Sequence, residues 1–386
     1  MRHFGYLSPS TRGQFFEREP EAFTRDSDAA DLAVALGATL YTPATRADLD
    51  VQVLNQAARG ATSMVLCLED AVPDDRVEEA ERNLVQGLQA HHAGGHDAPL
   101  LFVRVRRPDQ ITDLAERLGP ALPTLTGFVL PKFGPENGVD YLEALRSAQQ
   151  EHGSRLFGMP VMESAAITHE ETRQQTLAWT QQTLNAHRDQ VLAVRIGATD
   201  LSAVYGLRRA PDLTVYDVRV VAQVIADVIN RLGRADGTGF TITGPVWEYF
   251  TGGERIFKPR LRQSLFERHQ ASGLRAQLIS HDMDGLIREV ELDKANGLTG
   301  KTVIHPSHVP AVNALQVVTH EEYADAVDVL ASQSSGGVAA SGYGNKMNES
   351  KPHAAWAHRT ERRARIFGVA SPDTTFVEIL AASQPS

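Results

Sequence analysis

Six charged residues of this 386-residue chain stand at or just beyond the ends of short apolar runs. Their carboxylates could bind a divalent cation or move protons, and their cationic side chains could hold a small anion. This combination is consistent with a site for a metal ion and a keto or hydroxy acid. The six residues are Glu69, Asp70, Arg104, Lys132, Glu163 and Asp200.

Glu163 and Asp200 form the candidate metal-binding pair. Mg²⁺ prefers hard oxygen ligands, often takes only one or two carboxylates, and completes its octahedron with water and substrate. Two carboxylates from adjacent strands would leave positions open for the oxygens of an acid substrate. The alternative is that each carboxylate caps a following helix, as Asp200 could do ahead of Leu201 and Ser202.

Arg104 and Lys132 are the candidates for holding the substrate. The planar guanidinium of Arg104 suits a carboxylate, which it can bind through two hydrogen bonds, or the oxygen of an enolate. The alternative for Arg104 is a structural ion pair with Glu69 or Asp70, and Lys132 has similar alternatives. His305 could exchange protons, although a satisfied core position is the commoner fate of a lone histidine.

A repeated pattern of short apolar runs, each followed by an amphipathic stretch, predicts the elements that position these residues. Buried parallel strands alternating with helices indicate βαβ units, and eight such units favour a (β/α)₈ barrel over the competing doubly wound sheet. In a barrel, reactive groups lie at the C-terminal ends of the strands. The predicted strands are residues 38–43, 63–68, 100–105, 127–130, 156–162, 191–197, 240–243 and 302–305.

The barrel is expected to span residues 31–318, after an N-terminal arm of residues 1–30. An insertion near residues 248–280 is rich in basic residues, which could receive a phosphate-bearing ligand or form a solvated helical face. A Ser-, Gly- and Ala-rich linker over residues 331–345 is predicted within a lid-like C-terminal segment, residues 319–386. The basic residues are Arg255, Lys258, Arg260, Arg262, Arg268 and Arg275.

Composition restricts the class of protein. Lysine and arginine number 38 against 48 aspartates and glutamates, so the net charge is −10, which argues against nucleic acid or an anionic membrane as partner. No apolar run approaches the ~20 residues of a membrane span, and the N-terminus lacks the apolar core of a signal peptide. A single cysteine, Cys67, excludes an internal disulfide. The expected location is the cytoplasm.

Taken in order, these segments resemble the citrate lyase β-subunit-like branch of the HpcH/HpaI aldolase superfamily. Two stretches are specific in combination: LEDAVP, within residues 66–73, and GKTVIHP, residues 300–306. The resemblance covers about residues 31–318 and, more weakly, the C-terminal tail. The other matching stretches are residues 40–43, 103–105, 129–132, 160–164, 196–201 and 346–349.

The resemblance implies a TIM barrel, a Mg²⁺ ion held by Glu163 and Asp200, and an enolate stabilised near Arg104. The implied activity is carbon–carbon bond cleavage of a hydroxy acid or of a hydroxyacyl thioester such as citryl-, citramalyl- or malyl-coenzyme A. Coenzyme A would then enter as part of the substrate. Relatives usually form trimers or larger rings, in which a C-terminal carboxylate enters the neighbouring subunit's site. Glu349 matches that carboxylate.

Two departures from the family pattern keep other functions open. Thr243 stands where an aspartate is usual, and His308 stands where a glutamine is usual. One alternative is a pyruvate-type aldolase that uses no coenzyme A. The other is a non-catalytic protein that binds a metal ion and a ligand on the same fold.

Overall fold

The computed structural model describes residues 1–250, 283–332 and 337–383. The basic residues predicted to contact a phosphate, Arg255 to Arg275, lie outside these ranges. Within the described residues, eight parallel strands form one sheet. They are β1 (Ala38–Pro43), β2 (Ser63–Cys67), β3 (Leu100–Arg104), β4 (Gly127–Leu130), β5 (Phe157–Met162), β6 (Val194–Ile196), β7 (Ile242–Thr243) and β8 (Lys301–Val303).

The eight strands close into a barrel. Each strand from β1 to β6 pairs with the next one along the chain, and β8 pairs with β1 through Ala38 and Lys301. A parallel bridge between Gly244 and Lys301 joins the end of β7 to β8. The predicted (β/α)₈ barrel is therefore confirmed, and the doubly wound sheet is excluded because that architecture leaves its edge strands unpaired.

Helices cover the outside of the barrel because each presents an apolar stripe to the strands. In Asp109–Leu118, for example, the buried residues Ile111, Leu114 and Leu118 recur at the spacing of one helix face. Among the described helices, none is long and apolar enough to cross a membrane. The helices that follow β1 to β8 are Leu49–Ala58, Val77–Ala93, Asp109–Leu118, Gly138–His152, Glu170–Ala186, Arg219–Leu232, Met283–Ala295 and His308–Ala314, with shorter ones at Ala165–Thr168 and Ala198–Ala203.

The N-terminal arm packs at the end of the barrel where the strands begin. It contains the helix Pro9–Phe15, and it is followed by the helix Ala29–Ala35, which leads into β1. His3 is fully buried there, and its Nε2 lies 3.0 Å from the carbonyl oxygen of Ala35. Its ring stacks on Phe367 with the ring centroids 4.1 Å apart. His3 thus connects the arm, the approach to β1 and the C-terminal segment.

The predicted C-terminal helical segment is present, with helices at His320–Ala331, Ser350–Phe367 and Phe376–Ala382. Arg362 and Arg365 of its longest helix both bind Asp31 Oδ1, on the helix that leads into β1. The segment therefore packs where the strands begin, whereas the six charged residues lie where the strands end. Within one chain it does not cover them.

The prediction of a linker over residues 331–345 is wrong for its last part. Val338–Ala340 pairs with Met347–Glu349 in an antiparallel hairpin. Lys346 holds the hairpin to the preceding helix, with Nζ 2.6 Å from Asp325 Oδ2. A composition rich in serine and glycine does not reveal an ion pair to a residue 21 positions earlier in the chain.

Candidate functional site

The barrel gathers all six charged residues at the C-terminal ends of five adjacent strands. Successive short connections after parallel strands all open at the same end of a barrel, so residues distant in sequence become neighbours. Glu69 and Asp70 follow β2, Arg104 ends β3, Lys132 follows β4, Glu163 follows β5, and Asp200 lies in the short helix after β6.

Arg104 lies at the centre of the cluster. Its Nη2 is 2.8 Å from Glu69 Oε2, 2.9 Å from Glu163 Oε1 and 3.3 Å from Asp70 Oδ2. Burial acts to lower its pKa, but the charges of Glu163 and Glu69 raise the pKa above its ordinary value. The ion pairs expected as the structural alternative are therefore present, and they also orient the guanidinium beside the candidate metal ligand.

Glu163 is buried beneath the cluster, with 3% of its surface exposed. Its Oε1 accepts hydrogen bonds from Arg104 Nη2 at 2.9 Å and from the backbone N–H of Lys132 at 3.0 Å. Burial raises its pKa to about 7, and the negative charge of Asp200 adds to this effect. Both hydrogen bonds go to Oε1, so Oε2 accepts none from the described residues and could bind a cation.

Neither member of the candidate metal-binding pair caps a helix. Asp200 is the third residue of Ala198–Ala203, whose capping position is Gly197. The helix after Glu163 has Ser164 at its capping position. The capping alternative is therefore wrong for both carboxylates, and they remain available for another role.

Lys132 lies among the three carboxylates other than Glu163. Its Nζ binds Glu69 Oε1 and lies 3.7 Å from Asp70 Oδ1 and 3.8 Å from Asp200 Oδ1. Burial and the neighbouring Glu69 raise the pKa of Asp70 to about 6. Burial would also raise the pKa of Glu69, but hydrogen bonds and the charge of Arg104 hold it below its ordinary value. The half-exposed Asp70 can therefore exchange a proton near neutral pH.

The cluster carries a net negative charge that suits a divalent cation. Its four carboxylates and two cationic side chains sum to −2 when all six are ionised. The described residues contain no group of three or more histidine, cysteine, aspartate or glutamate side chains arranged around one metal position. Glu163 and Asp200 could hold Mg²⁺, which commonly takes one or two carboxylates and keeps its other positions for water and substrate.

A cavity of about 430 Å³ opens over the cluster and is lined in part by Glu69, Asp70 and Lys132. Arg106 also lines it, a residue that sequence reasoning missed. Arg106 donates to the carbonyl oxygens of Leu68 at 2.7 Å and Val72 at 2.5 Å, so it fixes the loop that carries the two acids. The signal available in the sequence was its position two residues beyond Arg104, at the end of the same strand.

A groove of about 660 Å³ continues from this cavity between the helices Val77–Ala93 and Asp109–Leu118. The two spaces share Asp74 and Arg106. Four arginines and five carboxylates line the groove, so it has no net positive charge with which to attract a phosphate.

Two further residues considered in the sequence do not belong to this cluster, although His305, like the six residues, stands at the C-terminal end of a barrel strand. His305 follows β8, is partly exposed, and stacks on Phe250 with the ring centroids 4.7 Å apart. The alternative interpretation of His305 as a histidine buried in the core is therefore wrong. Glu349 lies on the C-terminal hairpin, where its backbone N–H donates to His353 Nδ1 at 3.1 Å. The structure does not bring Glu349 to the site of its own chain.

Residues 30–369 match the family of carbon–carbon bond lyases of the TIM-barrel fold. The chain belongs to this family. The protein is accordingly a carbon–carbon lyase built on the barrel described above. No protein of curated function matches the sequence significantly.

Solved structures with the same fold include a CitE protein, a citrate lyase and a malate synthase. The CitE protein of Mycobacterium tuberculosis, in complex with magnesium, acetoacetate and coenzyme A, has a TM-score of 0.51 and 22% identity, over 86% of this chain and 99% of that one. A citrate lyase of Burkholderia xenovorans has a TM-score of 0.61 and 16% identity, over 91% and 98%. The magnesium and glyoxylate complex of Haloferax volcanii malate synthase has a TM-score of 0.51 and 14% identity, over 72% and 74%. At these identities the likeness concerns the fold.

Proposed function

We propose that this lyase is Mg²⁺-dependent and cleaves a hydroxy acid or a hydroxyacyl thioester through an enolate. The observation that supports it most is the cluster around Arg104, in which four carboxylates and two cationic side chains share one end of the barrel. The substrate class includes citryl-, citramalyl- and malyl-coenzyme A, with coenzyme A as part of the substrate. A relative of the same fold is described in complex with magnesium, acetoacetate and coenzyme A.

Glu163 and Asp200 would hold the Mg²⁺ ion. A bound Mg²⁺ supplies Lewis acidity to the oxygens of a keto or hydroxy acid. Hydrogen bonds from Arg104 and from the backbone of Lys132 keep Glu163 in one orientation before any ion arrives. Such preorganisation reduces the side-chain ordering required on binding.

Arg104 and Lys132 would act on the substrate's negative charge. When the carbon–carbon bond breaks, the departing carbon becomes an enolate, whose oxygen needs a fixed positive charge nearby. The side chain of Arg104 is only 12% exposed, so its charge is poorly screened by water and acts strongly at short range. Lys132, whose side chain is 47% exposed, faces the cavity and could bind a substrate carboxylate.

Cleavage also needs a base that removes the proton of the hydroxyl group. Glu349 of a neighbouring copy is the proposed base. Its hairpin exposes Val338, Tyr343 and Met347, with 59%, 47% and 57% of their surfaces accessible in a single chain. An apolar surface of this kind is consistent with contact to another copy. The proposed active protein is a trimer or a multiple of it. Asp70, with its pKa near 6, is the competing base within the same chain.

Titration calorimetry with Mg²⁺ tests the metal site. The wild type should bind Mg²⁺, the double variant Glu163→Gln/Asp200→Asn should lose measurable binding, and Glu171→Gln serves as a control because its exposed carboxylate lies outside the cluster. Unchanged Mg²⁺ affinity in the double variant would contradict the proposal.

Deuterium exchange followed by proton NMR tests the enolate chemistry. The methyl groups of acetyl-coenzyme A and of pyruvate should be compared with and without Mg²⁺. Exchange at acetyl-coenzyme A supports a thioester substrate, whereas exchange confined to pyruvate would indicate an aldolase that uses no coenzyme A. Absence of exchange at both compounds in a protein that binds Mg²⁺ would favour a non-catalytic ligand-binding role.

A further inference from the structure

Arg195 occupies the interior of the barrel directly below the cluster. It is the middle residue of β6, and in the strand register it lies beside Val161 of β5 and Thr243 of β7. Glu163 stands two residues beyond Val161 along the chain. Arg195 therefore lies one layer of side chains below Glu163, the candidate metal ligand, within the barrel. Only 1% of Arg195 is exposed.

The surroundings of Arg195 provide hydroxyl, sulfur and aromatic groups. Its Nη2 donates to Thr302 Oγ1, and its Nη1 lies 3.9 Å from Met159 Sδ. The guanidinium carbon lies 5.5 Å from the centroid of the Tyr41 ring. Nε has no hydrogen-bond partner among the described residues, and within that part of the chain Arg195 forms no ion pair with a carboxylate.

Other buried cations in the same barrel do have carboxylate partners. Lys301, which is fully buried, lies 2.9 Å from Glu289 Oε1 and 2.7 Å from Asp293 Oδ2. Arg173, with 7% of its surface exposed, lies 2.9 Å from Asp227 Oδ2. The fold therefore supplies a counter-ion at these positions and supplies none to Arg195 from the described residues.

An unpaired guanidinium in the interior is costly, because it loses hydration without gaining an opposite charge. Burial accordingly lowers the pKa of Arg195. A guanidinium at the floor of the site would gain an opposite charge when an anion arrives from outside. Tyr41 and Thr302, which contact the guanidinium, are both partly exposed. Neither of the two cavities described above is lined by Arg195, so a ligand would have to displace one of these side chains to reach it.

We propose that Arg195 and Thr302 bind the second carboxylate of a dicarboxylate substrate. This proposal rests on the proposed function: the first carboxylate and its neighbouring oxygen occupy the site around Glu163, Asp200 and Arg104. The other end of the molecule then points into the barrel, where the planar guanidinium can bind it through two hydrogen bonds. The proposed substrates are thereby restricted to hydroxy or keto diacids of four or more carbons. The diacid either binds as the free acid or is formed in the site by cleavage of a thioester.

The experiment compares two ligands that differ in the second carboxylate. Titration calorimetry in the presence of Mg²⁺ should use (S)-malate and (S)-lactate with the wild type and with Arg195→Met and Arg195→Lys. Arg188→Met is the control, since Arg188 is an exposed arginine outside the site. The wild type and the control should bind malate at least tenfold more tightly than lactate. Arg195→Met should lose that preference while its lactate affinity stays within about twofold of the wild type, and Arg195→Lys should be intermediate.

Thermal unfolding separates binding from a structural role. Removal of a buried charge that has no carboxylate partner among the described residues should leave Arg195→Met at least as stable as the wild type. The proposal is overturned if malate and lactate bind equally to the wild type, or if Arg195→Met keeps the malate preference or weakens both ligands equally. Failure of the proposed function would be visible separately. Lactate would then bind equally well with and without Mg²⁺, and equally well to the wild type and to Glu163→Gln/Asp200→Asn.

Discussion

Gly197 packs so closely on Glu163 that a Cβ atom at this glycine would lie 2.0 Å from Glu163 Oε2. It would also lie 2.6 Å from Glu163 Cβ, so rotation of the carboxylate alone cannot relieve the overlap. The variant Gly197→Ala should therefore displace Glu163 and lower Mg²⁺ affinity at least tenfold, roughly 1.4 kcal/mol or more. Titration calorimetry measures this directly.

Gly13→Ala provides the matched control for that substitution, because a Cβ atom at Gly13 meets nothing within 4 Å. Circular dichroism should show that both variants keep the helical content of the wild type. Wild-type Mg²⁺ affinity in a folded Gly197→Ala protein would mean that Glu163 does not bind the ion.

Lys132→Met should change metal affinity and turnover in opposite directions. Lys132 Nζ lies 3.8 Å from Asp200 Oδ1, so its charge opposes a cation bound there. Two unit charges about 4 Å apart interact by about 1 kcal/mol in water, so Mg²⁺ should bind roughly two- to fivefold more tightly to the variant. Turnover measured at substrate concentrations well below KM should fall at least tenfold, since one substrate-binding cation is lost.

The exposed Lys351 supplies the control variant, Lys351→Met. It removes the same charge from the helix Ser350–Phe367, outside the cluster of its own chain, and should leave Mg²⁺ affinity unchanged. Weaker Mg²⁺ binding in Lys132→Met would show that Lys132 orients the metal ligands rather than opposing the ion.

The strands and the clustering of the six charged residues could be predicted because both depend on local pattern. Buried parallel strands have continuous apolar runs, and a barrel places whatever follows them at one end. The run at 127–130, for example, is a strand with the bounds expected from its sequence. The roles of Glu163 and Asp200 as metal ligands remain predictions.

Features that depend on contacts between residues distant in sequence could not be predicted from the local sequence pattern. Arg195 stands in an apolar strand and could not be distinguished from a residue paired with a buried acid, because pairing is a tertiary property. The packing of Gly197 on Glu163 likewise arises only when two neighbouring strands are aligned. The placement of helix Ser350–Phe367 depends on ion pairs with Asp31, more than 330 positions away in sequence.

The stability of the protein should fall in mild acid because of His3. Burial lowers its pKa from 6.5 to about 3, so the unfolded chain binds a proton that the folded chain excludes. The stabilisation is therefore complete above pH 6.5 and is lost as the pH falls toward 3. Between pH 6.5 and pH 4.5 the loss due to His3 is about 2 kcal/mol.

Urea unfolding of the wild type and of His3→Gln across this pH range measures the effect. Glutamine can keep the hydrogen bond to Ala35 but does not titrate. The difference in unfolding free energy between the two proteins should change with pH, whereas contributions from other groups, such as the buried His308, cancel. A difference that stays constant from pH 6.5 to pH 4.5 would contradict the assignment.

Mixing two inactive variants should restore activity if Glu349 acts in a neighbour's site. Arg104→Met removes the enolate-binding group and keeps Glu349, and Glu349→Gln does the reverse. In a ring assembled at random from equal amounts of both, about a quarter of the sites combine an intact Arg104 with an intact neighbouring Glu349. Coexpressed protein should therefore show about a quarter of wild-type turnover, although each variant alone is inactive.

The same measurement distinguishes Glu349 from Asp70 as the base. If Asp70 removes the proton, Glu349→Gln alone stays active and Asp70→Asn is inactive. Coexpression of Asp70→Asn with Arg104→Met then restores nothing, because both residues belong to one barrel and contact each other. Recovery in the Glu349 pair together with its absence in the Asp70 pair requires a site completed by two chains. The position of Glu349 beside the helices at the far end of its own barrel is consistent with that arrangement.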